Sequence, residues 1–118
     1  MHGRGTFKGW TDEALRAYVT HALKDVDAGV ALKCQPSLEA RIFTAYPKRL
    51  WSSLPKVVTP TLVLHGKTTY PFVGQSAARW HAMNPVASEQ QVAGGHCFMQ
   101  EFPADSAKRV REFLLRSA

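Results

Sequence analysis

Gly94-Gly95-His96 sets one imidazole behind two residues that carry no side chain. A histidine so placed can accept and return a proton near neutral pH, as the general base of an acyl transfer must. The glycines allow a sharp turn that a side chain would crowd. The plainer alternative is a loop histidine packed beside Phe98 and Met99. A base also needs a nucleophile to serve. Ser76 sits in Gly74-Gln75-Ser76-Ala77-Ala78, one residue short of a Gly-x-Ser-x-Gly elbow. Such an elbow requires a full strand leading into the serine, and Pro71 followed by Phe72-Val73 supplies too little. Ser37, Ser52 and Ser53 lack even that setting and read as cap or surface serines. Cys97 adjoins His96, but adjacent side chains point apart, so it reads as a small apolar group beside the histidine. His65 ends an apolar run and reads as structural. His2, His21 and His81 show no metal-ligand spacing with one another or with a carboxylate, so neither a metal nor a cofactor is expected.

The elements that must position His96 are legible in the pattern around it. Thr11-Asp12-Glu13 has the composition of a helix start, with acids where the dipole favours them. Leu15, Val19, Ala22, Leu23 and Val26 then recur at helical spacing, and Gly29 ends the segment. Residues 30–34 form a short apolar run that suits a small strand. Pro36 opens a second helix in which Leu38, Ile42, Ala45 and Tyr46 share a face, and Pro47 closes it. Residues 50–54 predict a short helical turn ended by Pro55. Residues 61–65 are apolar without alternation, the mark of a strand covered on both faces. Residues 73–83 predict a helix with Ala77 and Trp80 on one side, stopped by Asn84-Pro85. Residues 88–92 predict a second strand, and Pro103 opens a last helix with Ala107, Val110, Phe113 and Leu114 as its apolar stripe. No repeat or low-complexity linker interrupts the chain.

Taken together, Pro60-Thr61-Leu62-Val63-Leu64-His65-Gly66, the helix after it, the second strand, Gly94-Gly95-His96 and the closing helix resemble the C-terminal part of an α/β-hydrolase. The resemblance implies an α/β fold: a partial α/β-hydrolase in which residues 1–54 end a helical cap segment. Residues 55–118 would then carry the last two parallel strands and their flanking helices. It implies that His96 is the base of a catalytic triad in an enzyme acting on esters or similar small apolar substrates. It also implies that Trp10, Tyr18, Phe43, Tyr46 and Trp51 belong to the cap, where most of them pack helices onto the sheet. The triad acid of this family commonly follows the penultimate strand in a Gly-x-x-Asp pattern. Here that segment reads Gly66-Lys67-Thr68-Thr69-Tyr70-Pro71, without a carboxylate. Either the acid follows an earlier strand, upstream of residue 1, or a neutral Thr68 or Thr69 orients His96 and stabilises its charged form poorly. The family's nucleophile comes earlier still, and nothing earlier in this chain supplies it. The chain is thus expected to be inactive alone. The alternative is a non-catalytic module that kept the fold and lost the chemistry, serving interaction or assembly.

Composition bounds the rest. At 118 residues and 45% hydrophobic content the chain holds one globular domain's worth of sequence, short for a whole α/β-hydrolase. No apolar run nears the roughly 20 residues that span a bilayer, and residues 1–5 lack the apolar stretch of a signal peptide. A cytoplasmic location without membrane attachment is expected. Two cysteines, Cys34 and Cys97, without Cys-x-x-Cys spacing point to free thiols. The formal charge of +6 raises the question of an acidic partner. Arg41, Lys48, Arg49 and Lys56 cluster around Tyr46 and Trp51, and Lys108, Arg109, Arg111 and Arg116 form a second group. No nucleic-acid motif accompanies them, and the second group falls on the solvent face of the last helix, so no nucleic-acid partner is expected. Two strands alone make a poor core. A free chain of this kind is therefore expected to form a homodimer.

Overall fold

The computed structural model describes residues 4–45 and 47–116; Tyr46, assigned above to a helix face and the cap, and His2 lie outside the described residues. The chain is mixed α/β, built around a small parallel sheet. A 3-10 turn, Gly5–Phe7, leads into α1, Asp12–Ala22. Thr11 caps α1 as its composition predicts, its Oγ1 accepting from the Ala14 amide at 3.1 Å, with Asp12 and Glu13 in the first turn. Phe7, Trp10 and Tyr18 then pack edge to face, with ring centroids 5.1 to 5.9 Å apart.

The helix does not run on to Gly29 as its spacing predicts. It stops at Ala22, and β1, Leu23–Val26, pairs antiparallel with β2, Gly29–Leu32. The physical reason is the two-residue turn Asp27-Ala28, and Gly29 just after it takes a φ of +128°, open to glycine and strained for any other residue, as the chain enters β2. Leu23 and Val26 keep helical spacing, but pairing with Leu32 and Gly29 decides their conformation. The helix that follows, α2, Pro36–Thr44, opens on its proline as predicted; α3, Leu50–Ser53, passes into a 3-10 turn through Pro55, Leu54–Lys56.

The sheet that matters for the site is β3, Thr61–Gly66, beside β4, Ala87–Val92, parallel and in register from Thr61 opposite Ala87 to Gly66 opposite Val92. Their crossover is α4, Pro71–Met83, which begins two residues before the predicted helix. Parallel strands need such a crossover. Asn84 ends α4 and locks the unit: its buried side chain donates to the carbonyls of Leu54 and Val57, at 3.0 and 2.8 Å, and accepts from the Val86 amide at 3.1 Å. Among the described residues the buried apolar set is small, namely Ala77, Ala87, Val92 and Phe98.

After β4 the chain turns through Gly94 and Gly95 into a one-turn helix, α5, Phe98–Glu101, and then α6, Pro103–Arg116. The predicted apolar stripe is largely uncovered: Val110 is 46% and Leu114 60% exposed, whereas Ser106 is buried. The basic residues of α6 are partly occupied by the helix itself. Arg109 Nε bonds Asp105 at 2.7 Å, Lys108 approaches Glu112 at 4.0 Å, and Arg116 Nε donates to the Glu112 carbonyl. Of the first basic group's surroundings, Trp51 lies under the Arg79 guanidinium, 4.0 Å from the ring centroid. No helix among the described residues is long and apolar enough to cross a membrane.

Candidate functional site

Both loops that leave the C-terminal ends of β3 and β4 meet at His96, at the end of a parallel sheet where ligand sites of open α/β folds lie. From the β3 side, Thr69 Oγ1 stands 2.9 Å from His96 Nδ1. Tyr70 meets the imidazole edge-on, with centroids 5.2 Å apart, and stacks on Phe72 at 5.7 Å. Thr68 is bonded elsewhere, its hydroxyl donating to the Gly94 carbonyl at 3.1 Å. The sequence reading left two hydroxyls as alternatives for orienting the histidine, and the geometry separates them: Thr69 holds the ring and Thr68 holds the turn.

The turn itself is a close backbone crossing. Gly94 takes a φ of +103°. A Cβ on Gly66 would run into the Gly95 carbonyl, so the Leu-His-Gly strand must end in glycine for the His96 loop to pass over it. Glu101 completes the turn, both of its carboxylate oxygens accepting from the Gly95 amide at 3.1 Å. Sequence reasoning missed this carboxylate. Its signal is a lone acid six residues after Gly95, at the end of a helical turn too short to stand out by periodicity.

His96 is exposed and lines a cleft of about 570 Å³ whose walls include Lys8, Thr6, Thr68, Tyr70 and Glu101. The lining is as polar as it is apolar. Nδ1 is engaged by Thr69, and among the described residues nothing bonds Nε2. The 2.9 Å contact fits two arrangements: Nδ1–H donating to the hydroxyl, or the hydroxyl donating to a bare Nδ1. In the first, Nε2 carries a lone pair and the ring is a proton acceptor aimed from a fixed position. In the second it carries the proton.

Ser76 stands apart from this arrangement. It is exposed, the sixth residue of α4, and no strand or turn leads into it, so it does not occupy an elbow. Cys97 is half-buried and lines the same cleft as a free thiol, and Cys34 is free and exposed. His65 is buried, its Nε2 3.1 Å from Glu89 Oε1 on the neighbouring strand, in keeping with a structural role. Its Nδ1 is buried with no hydrogen-bond partner among the described residues. His81 Nδ1 is bonded to the Ala87 carbonyl at 2.6 Å. No group of three or more histidine, cysteine or acidic side chains among the described residues is arranged to hold a metal ion.

No family model, curated protein or solved structure matches this chain.

Proposed function

We propose that these residues are the C-terminal part of an α/β-hydrolase acting on esters or related small substrates, with His96 as general base and the nucleophile contributed from outside the 118 residues. The observation that carries the reading is the imidazole held by Thr69 at the end of the parallel pair, with no partner on Nε2 among the described residues and a cleft beside it. The β3–α4–β4 unit, the glycine crossing and the closing α6 support it by their order.

In this reading Nε2 takes the proton of the attacking hydroxyl as its oxygen bonds to the substrate carbonyl carbon. The same proton passes to the leaving oxygen when the acyl bond breaks. A second cycle on water then frees the acid and restores the nucleophile. Polar groups at Lys8, Thr6 and Thr68 surround the reacting end, while the stacked Tyr70 and Phe72, both exposed, offer an apolar surface to the rest of the substrate. Thr69 fixes the ring but brings no negative charge, so it stabilises the imidazolium less than a carboxylate does.

A second reading rests on that neutral partner. A module descended from such an enzyme, released from catalysis, has no need of a carboxylate on its histidine and would serve in interaction or assembly. Ester turnover in the natural polypeptide that contains this chain separates the two. His96→Ala is expected to lower kcat/KM about a thousandfold or more with the fold intact, because triad members act as a unit. Near-unchanged turnover in that variant sinks the catalytic assignment and leaves the assembly reading.

A further inference from the structure

We propose that Lys8 selects substrates that carry a free carboxylate a few bonds from the scissile carbonyl, as the half-ester of a dicarboxylic acid does; the inference rests on the hydrolase reading of the His96 cleft.

The lysine stands on a built turn. Phe7-Lys8-Gly9-Trp10 is a type II β-turn: Lys8 takes a φ of −64° and a ψ of 125°, Gly9 follows at a φ of +86°, and the Trp10 amide donates to the Phe7 carbonyl at 3.3 Å. Both ends of the turn are anchored, because the Phe7 and Trp10 rings pack on each other and on Tyr18 of α1. One residue on, the Thr11 amide donates to the Gln100 carbonyl at 3.1 Å, which ties the segment to α5 just after His96. The tip of the turn is seated as well. Gly9 lies so close to Glu101 that a Cβ on it would stand 3.2 Å from that side chain. Glu101 in turn accepts the Gly95 amide on both carboxylate oxygens. The Lys8 turn, Glu101 and the turn into His96 therefore make one continuous wall of the cleft.

Charge decides what that wall attracts. Besides His96 itself, the ionisable side chains lining the cleft are Lys8, Tyr70, Cys97 and Glu101. Glu101 is half-buried and occupied by the Gly95 amide, whereas Lys8 is exposed and forms no ion pair among the described residues. An ammonium at a partly enclosed cleft favours an anionic group on the ligand. One lysine is a compact point charge, matched to one carboxylate. A phosphoryl group carries more charge and more oxygens than a single ammonium serves, and Glu101 in the same wall repels it more strongly. Lys8 is also ill suited to the developing oxyanion, which needs donors fixed in advance, because a flexible four-carbon stem is not so fixed. Its charge is therefore assigned to a part of the substrate that does not react.

The test uses the natural polypeptide that contains this chain, assayed on monomethyl succinate and dimethyl succinate, which share the reacting ester and differ in the carboxylate. The half-ester is expected to have the higher kcat/KM. Lys8→Met is expected to lower the ratio of half-ester to diester kcat/KM about ten- to hundredfold, chiefly through KM, as loss of one charge-assisted hydrogen bond does. Lys8→Arg keeps the charge and is expected to keep most of the ratio. A wild-type preference for the diester, an unchanged ratio in Lys8→Met, or equal losses on both esters overturns the proposal; equal losses put Lys8 on the reacting carbonyl instead. Binding separates this inference from the hydrolase reading. Succinamate, an unreactive half-amide, titrated against the His96 ring resonances is expected to bind at least about tenfold more tightly to wild type than to Lys8→Met. Absence of ester turnover with that difference intact contradicts the hydrolase reading and supports the carboxylate site. Equal succinamate binding by the two proteins, or none by either, overturns the carboxylate site whatever the turnover.

Discussion

His96 and Thr69 come from separate loops twenty-seven positions apart and meet at 2.9 Å. Gly-Gly-His alone says little, and the histidine stood out as a candidate only with the Leu-Val-Leu-His-Gly strand upstream of it and the closing helix downstream. Thr69 was legible only as one of two hydroxyls, because which of them reaches the ring depends on how the loop after β3 turns. Glu101 was invisible as part of the turn, since its partner is a backbone amide that any residue could supply. If Thr69 positions the base, removing its hydroxyl should cost about one hydrogen bond, or about 1 kcal/mol. In the proposed parent hydrolase Thr69→Val is accordingly expected to lower kcat some five- to tenfold, with KM little changed. A purely structural role for Thr69 would lower stability and leave kcat unchanged.

Strands and helices set by their own residues were readable, and those set by a distant partner were not. Both strands of the parallel sheet fall within a residue of their predicted bounds, because an uninterrupted apolar run and a glycine exit specify β3 locally. The hairpin was hidden because Leu23 and Val26 continue the spacing of α1, and only pairing across the Asp27-Ala28 turn draws them into a strand. The stripe of α6 had helical period, as predicted, but period does not say what lies opposite, and Val110 and Leu114 have nothing there to bury them. Asn84 shows the converse, a stop signal with a second task. It ends α4 and also bonds the carbonyls of Leu54 and Val57. Asn84→Ala strands three backbone groups near a buried site and is expected to destabilise the chain by about 2–3 kcal/mol. The check is a fall in the urea midpoint at unchanged slope.

Among the described residues the molecule combines a candidate site that no serine elbow serves with a parallel sheet of only two strands. Its buried apolar residues are few and mostly small, while burial must offset a chain entropy that grows with every ordered residue. What the sequence could not say is which backbone groups face outward, since that becomes visible only once the register of β3 against β4 is known. The outward-facing groups of β3 and the His96 cleft are separate features of the same unit. The first concerns what completes the sheet, and the second concerns what the histidine can do once a substrate and a nucleophile are present.

That second point turns on one proton. A base acting through Nε2 must carry its hydrogen on Nδ1, donated to the Thr69 hydroxyl, although free imidazole favours the opposite tautomer. Nitrogen-15 NMR of the imidazole of His96 at a pH above its titration reads this directly in the chain. The account predicts the Nδ1–H form, reverting toward the Nε2–H form in Thr69→Val. A wild-type His96 with its proton on Nε2 and Thr69 donating to Nδ1 would contradict it, because that nitrogen could then accept nothing.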